Sequence, residues 1–214
     1  MKHPDPRLAA YRELLLAAPL SVTSVRKPDA AWTVHVEDAL TAVPLVERLG
    51  PRRIVDVGSG GGSPGIPLAI ATGIPVDLLE ATTAKCAFLR RCAETLPAPC
   101  QVIHDRSEHL ARGAGRDAYD LVAARALAPP PVAAELCLPL ARPGGHVLLW
   151  TAETDPEPIA AAAAAVGGEL AETVVVGPNR RLVLVGKLSA TPDRFPRRPG
   201  MAAKHPLPRV RSRP

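Results

Sequence analysis

Aromatic side chains are almost missing from this sequence: Phe, Trp and Tyr together make up 3% of its 214 residues. A core must then be built of Leu, Val, Ile and Ala, which suits helices packed on a buried parallel sheet. The scarcity also argues against a grip on single-stranded nucleic acid by rows of stacking rings. No apolar run approaches the roughly 18 residues that suggest a membrane-spanning helix, so no membrane association is expected. The first dozen residues carry charges of both signs and no apolar stretch, and do not read as a secretory signal. The four cysteines, at 86, 92, 100 and 137, include no Cys-x-x-Cys pair and no histidine at metal-ligand spacing. No metal site is expected. Buried free thiols in a reducing compartment, the cytoplasm, are.

Hydrophobic residues make up 47% of the chain and charged residues 22%, a globular composition for one domain with an extension. The net charge of +5 is uneven. Residues 191–214 hold seven basic side chains and one acid, a balance of +6, which leaves −1 for the remainder. Such a tail reads either as a polyanion contact, most obviously with nucleic acid, or as a solvated run in a chain biased toward Arg.

Apolar spacing predicts a helix over 7–18 and a second over 34–49, the latter capped by Thr33 and stopped at Gly50-Pro51. Then strands and helices alternate. Strands are predicted at 54–57, 76–80, 100–104, 119–124 and 147–150, and helices at 64–72, 84–95, 130–140 and 159–166. Pro143-Gly144-Gly145 reads as a turn. Two closing strands, 170–176 and 181–187, flank Gly177-Pro178-Asn179 and must be antiparallel to each other. The tail from Ala190 carries six prolines and is expected to be extended, neither helix nor central strand. The pattern predicts an α/β fold with a largely parallel seven-stranded sheet, an antiparallel closing strand and N-terminal helices. Three parts are expected: a helical cap over 1–50, a ligand-binding domain over 51–190, and a basic, proline-rich segment over 191–214.

The stretch Asp56-Val57-Gly58-Ser59-Gly60-Gly61-Gly62-Ser63-Pro64-Gly65 follows the first strand and opens a helix, the context in which a glycine loop binds ligands. No Lys-Ser or Lys-Thr follows it, so a phosphate P-loop is excluded. Gly60, Gly62 and Gly65 fit a dinucleotide pattern, but two residues too late after the strand. S-adenosylmethionine (SAM) asks for an acid at the strand end, then Gly-x-Gly-x-Gly, then an acid closing the second strand. Asp56, Gly58-Gly60-Gly62 and Glu80 meet all three. The charges agree, since an acid attracts the ammonium and sulfonium of SAM and repels a pyrophosphate.

Val55 through Leu68, with its Pro64-Gly65-Ile66-Pro67-Leu68 continuation, resembles the extended loop of the GidB/RsmG family, bacterial methyltransferases of a guanine N7 in small-subunit ribosomal RNA. So do His35-Val36-Glu37-Asp38, Phe88-Leu89-Arg90, Arg106-Ser107-Glu108 and Ala124-Arg125-Ala126. Residues 195–207, from Phe195-Pro196-Arg197-Arg198 to Lys204-His205-Pro206-Leu207, resemble the family's terminal signature. The sequence departs from the pattern at Ala39, Ala81, Ala84 and Thr151. The resemblance implies a Rossmann-like SAM-dependent methyltransferase that acts as a monomer on ribosomal RNA or the small subunit. It implies SAM contacts from Ser59, Pro64, Gly65 and Ala81 beside Asp56, the glycines and Glu80. Arg106, Ser107 and Glu108 would lie along the adenine. Arg125, counted among the SAM contacts as well, would meet the reacting base and serve as the catalytic residue. Arg197, Arg198 and Lys204 would contact RNA phosphates. The departures keep open a methyltransferase of another RNA or a small molecule, and a non-catalytic nucleic-acid-binding protein.

Overall fold

The computed structural model describes residues 5–19, 22–152 and 155–207. Arg209, Arg211 and Arg213 of the basic tail lie outside them. The chain divides into two compact units, Met1–Asp105 and Arg106–Pro214.

The first unit opens with α1 (Pro6–Leu16), which Asp5 caps by accepting the Arg7 N–H at 2.9 Å. The single long helix expected from residue 34 is instead a broken series. It comprises α2 (Pro28–Trp32), a π-helical turn over Thr33–Glu37, α3 (Asp38–Leu40) and α4 (Val43–Leu49). Thr33 caps nothing. Pro28 starts the series because its fixed φ suits a first helical turn, where a missing N–H costs nothing. Then come β1 (Ile54–Val57), α5 (Gly65–Thr72), β2 (Val76–Glu80), α6 (Thr83–Thr95) and β3 (Cys100–His104). The strands run parallel in the order β3-β2-β1. Every residue of β1 and β2 is buried, as parallel strands covered on both faces require.

The second unit contains α7 (Ser107–Leu110), β4 (Tyr119–Arg125), α8 (Pro130–Cys137), β5 (Ala141–Thr151), α9 (Glu157–Ala165), β6 (Gly168–Gly177), β7 (Arg180–Lys187) and α10 (Met201–Lys204). Strand β4 is parallel to β5, and β7 is antiparallel to both β5 and β6. Pro143-Gly144-Gly145 does not end a turn before β5. It forms an irregularity inside the strand, where the register with β4 shifts between Tyr119 and Leu121. A Cβ on Gly145 would stand 2.9 Å from the carbonyl oxygens of Tyr119 and Asp120, so only glycine lets the strands close there. The tail corrects its own expectation of no helix. Met201–Lys204, a proline-free stretch between Pro199 and Pro206, winds one turn.

Candidate functional site

In the first unit, the glycine loop leaves β1 with Gly58 and Gly60 at positive φ. Asp56 is fully buried, and its Oδ2 accepts the Gly65 N–H at 3.1 Å, fixing where α5 begins. Gly65 is needed for close approach, since a Cβ there would lie 2.5 Å from Leu78 Cδ2 and 2.8 Å from Asp56 Oδ2. Gly60 differs. Its Cβ would meet nothing nearer than Gly58 O at 3.7 Å, so positive φ rather than crowding calls for glycine there. Ser59, Gly62, Ser63 and Pro64 are buried, whereas Gly58, Gly60 and Gly61 keep exposed surface.

Glu80 closes β2 and turns its carboxylate to the loop. Oε2 accepts the Gly60 N–H at 3.0 Å, and Oε1 accepts the Thr82 N–H at 2.8 Å. Burial alone would push this carboxyl up. The two N–H groups and the Lys85 charge outweigh burial and hold it below its ordinary value, so it is ionised at neutral pH. Each oxygen retains a lone pair for a further donor. Ala81 is exposed beside it.

Sequence reasoning missed what braces the loop. The Tyr11 hydroxyl donates to Gly61 O at 2.7 Å, and the Ser63 hydroxyl donates to His35 O at 2.7 Å. The His35 ring in turn meets Thr23 Oγ1 at 3.0 Å. Tyr11 is one of only two tyrosines, the one signal that could have singled it out.

In the second unit, Arg125 ends β4 opposite Trp150 and is half-buried. Ala126 after it has φ 54°, a left-handed conformation that costs a non-glycine residue energy. Nearby, Asp120 binds Arg142 at 2.6 Å and Glu135 binds Arg197 at 2.5 Å.

Glu108 is 5% exposed and faces the tail, where Oε1 accepts the Gly200 N–H at 3.1 Å. Burial pushes Glu108 up, but this bond, its own N–H and Arg106 outweigh burial and hold it low. Ser107 is buried and Arg106 is exposed.

Arg197, expected to face RNA, is instead a structural tie. Its Nε and one terminal nitrogen clasp Glu135, which is 2% exposed, and that nitrogen also donates to His205 O at 2.8 Å. Arg198 and Lys204 are exposed. The tail starts from a second tie. Lys187, 2% exposed, donates to Leu138 O, Val166 O and Thr191 Oγ1, with Asp117 3.4 Å away. Burial lowers its pKa, and Asp117 opposes the shift. Asp117, at φ 47°, also accepts from the Thr191 hydroxyl at 2.6 Å.

Burial raises the Cys92 and Cys100 thiols to about 12, which leaves them inert. Among the described residues no group of acids, cysteines and histidines is arranged to hold a metal, and no helix is long and apolar enough to cross a membrane.

A family model described as GidB, rRNA small subunit methyltransferase G, matches residues 6–180, ending before the tail. A Symbiobacterium thermophilum protein named ribosomal RNA small subunit methyltransferase G is 37% identical over 204 residues, covering 88% of this chain and 83% of its own. A Sorangium cellulosum protein of the same name is 38% identical over 197 residues, covering 90% and 80%. A solved Bacillus cereus O-methyltransferase in complex with SAH superposes with TM-score 0.61 at 19% identity, covering 87% of this chain and 93% of its own. That likeness extends to the fold alone, which is Rossmann-like.

Proposed function

The chain belongs to the GidB family of small-subunit ribosomal RNA methyltransferases, and from that premise we propose that it transfers a methyl group from SAM to N7 of a guanine in 16S ribosomal RNA, in the cytoplasm. The observation that carries this reading is the ionised Glu80 held against the glycine loop by the Gly60 and Thr82 N–H groups.

The loop fits SAM. Gly60 keeps exposed surface, and Glu80 offers carboxylate lone pairs to a ribose diol. When bound, SAM supplies an electrophilic methyl on sulfonium. Guanine N7 carries a lone pair and no proton, so the chain need supply no general base. Its task is alignment, worth up to about 7–11 kcal/mol in favourable cases. Glu80 fixes the ribose. Gly58 and Gly60 admit the cofactor's backbone-close atoms, with Ser59, Gly62, Pro64 and Gly65 shaping their path and Ala81 flanking it. Asp56 has no exposed surface and acts by setting the loop and by its negative charge. Arg106 borders the adenine. Arg125 orients the base, its planar fork donating to guanine O6 while N7 stays free. Arg198 and Lys204 take RNA phosphates.

The test is mass-spectrometric mapping of 7-methylguanosine in 16S ribosomal RNA from a deletion strain, with calorimetry of SAM binding to the pure protein. Loss of one methylated guanine, restored by the parent gene, supports the reading. Unchanged 16S modification with a lost methyl elsewhere would favour another substrate. SAM binding in the absence of any turnover would favour a non-catalytic binding protein.

A further inference from the structure

We propose that an open concavity in the second unit, between the α7–β4 loop and the C-terminal segment, binds the phosphodiester backbone of the RNA through Arg112, Arg116, Arg194 and Arg198. This rests on the reading above that RNA is the substrate, and to Arg198 it adds Arg112, Arg116 and Arg194, to which the sequence reading gave no role in binding.

The concavity has a volume of about 730 Å³, ample for a stretch of polynucleotide backbone. Its walls are built by the same arginines that would bind. Arg112 donates to Pro196 O at 3.0 Å. Arg116 donates to Phe195 O at 2.8 Å and to Thr191 O at 2.6 Å. These bonds draw the tail backbone against the loop and leave other guanidinium donors unused. They also bring Arg194 and Arg198 to the same rim. Arg194 is steadied over the Phe195 ring at 5.3 Å. Arg198 is exposed, and only its backbone carbonyl is tied down, accepting the Met201 N–H at 3.0 Å.

The charge balance selects an anion. Glu135 neutralises Arg197. The other four cations face a single acid, Asp193, whose side chain is fully exposed 3.9 Å from Arg116 and is free to turn away.

The chemistry selects phosphate over base. Phe195 is 3% exposed beneath Arg194, so no ring is offered for stacking, and the lining is rich in donors with almost no acceptors. Such a surface positions RNA without reading its sequence.

The experiment measures binding of the intact protein to 16S ribosomal RNA across a range of salt. The variants are Arg198→Ala, Arg194→Ala and Arg112→Ala, alone and combined. Each phosphate contact contributes about 0.7–0.9 to the slope of log affinity against log salt. Each single variant is expected to flatten that slope by about one such step, and the combined variant by about three. SAM affinity by calorimetry stays at the parent value. Parental slopes for Arg194→Ala and Arg198→Ala, in a protein that methylates ribosomal RNA, would overturn this proposal alone. The Arg198 side chain is exposed, so its variant remains informative if Arg112→Ala misfolds. A parent that neither binds nor methylates ribosomal RNA would overturn the functional reading as well.

Discussion

The glycine loop and the C-terminal segment are built on opposite principles. The loop carries almost no side chains, and its form is dictated by backbone conformation, by one buried acid and by what a Cβ would strike. The segment is dense with charged side chains, and its form is dictated by which of them are consumed internally. In the loop every glycine has a geometric reason that can be stated. In the segment two neighbouring arginines of identical charge do unrelated things: Arg197 clasps a buried carboxylate while Arg198 meets solvent. A charge run is therefore not a unit of function, whereas a glycine run can be.

The sharpest test of that contrast is the pair Arg197→Ala and Arg198→Ala. Removing Arg197 strands Glu135 as an uncompensated buried charge, which costs about 3–5 kcal/mol. Removing Arg198 changes stability by less than about 0.5 kcal/mol. Urea midpoints measure both, and equal midpoints would erase the distinction.

Arg125 belongs to neither region and shows whether orientation of the base is separable from both. Arg125→Ala is expected to lower single-turnover methylation about a hundredfold at saturating SAM, and Arg125→Lys to leave the defect uncorrected, because an ammonium lacks the planar fork. A rate within threefold of the parent, well short of the tenfold that 1.4 kcal/mol brings, makes Arg125 structural.

Glu80→Ala sharpens the loop's side. It should weaken SAM by about 1–3 kcal/mol through lost charge-assisted hydrogen bonds, with the salt dependence of RNA binding unchanged. A titration with SAM reads the first and filter binding the second.

The smallest effect tests the segment's side through pH. Glu108 anchors the segment at Gly200 and titrates below its ordinary value of 4.5. Its contribution to stability is complete above 4.5 and is lost as pH falls through the lower folded value. Glu108→Gln should therefore flatten the acid limb of stability against pH, and an unaltered limb would show that the anchor carries no weight.

Much of the fold was legible because hydrophobic period and glycine placement are local signals. Strands β2 and β3 fall at the predicted residues, and β1 likewise. The misreadings occurred where tertiary contacts decide. Residues 33–37 look like ordinary amphipathic helix, yet they form a π turn whose His35 carbonyl receives Ser63. Strand β5 absorbs Pro143-Gly144-Gly145 because Gly145 lets two carbonyls approach. At the site, Glu80 was legible from its place at the end of a strand. The roles of Arg112 and Arg116 were not, since a loop arginine carries no periodicity and their partners are backbone carbonyls some eighty residues away. The Lys187–Thr191–Asp117 tie was equally hidden. It also means that cutting the chain at residue 190 would not cleanly remove a tail. It would uncover Glu108, Glu135 and Lys187, so point substitutions are the cleaner probe.

The hydroxyl of Tyr11 on Gly61 gives the first helix a share in the loop's equilibrium. Local opening of α1 releases Gly61, and any ligand that holds the loop shut must hold α1 down by the same factor, because coupling between two sites is reciprocal. Backbone amides of α1 should exchange with solvent deuterium more slowly as SAM is added. In Tyr11→Phe they should exchange faster, while SAM affinity falls in proportion. The N-terminal helix thereby becomes a gauge of cofactor occupancy.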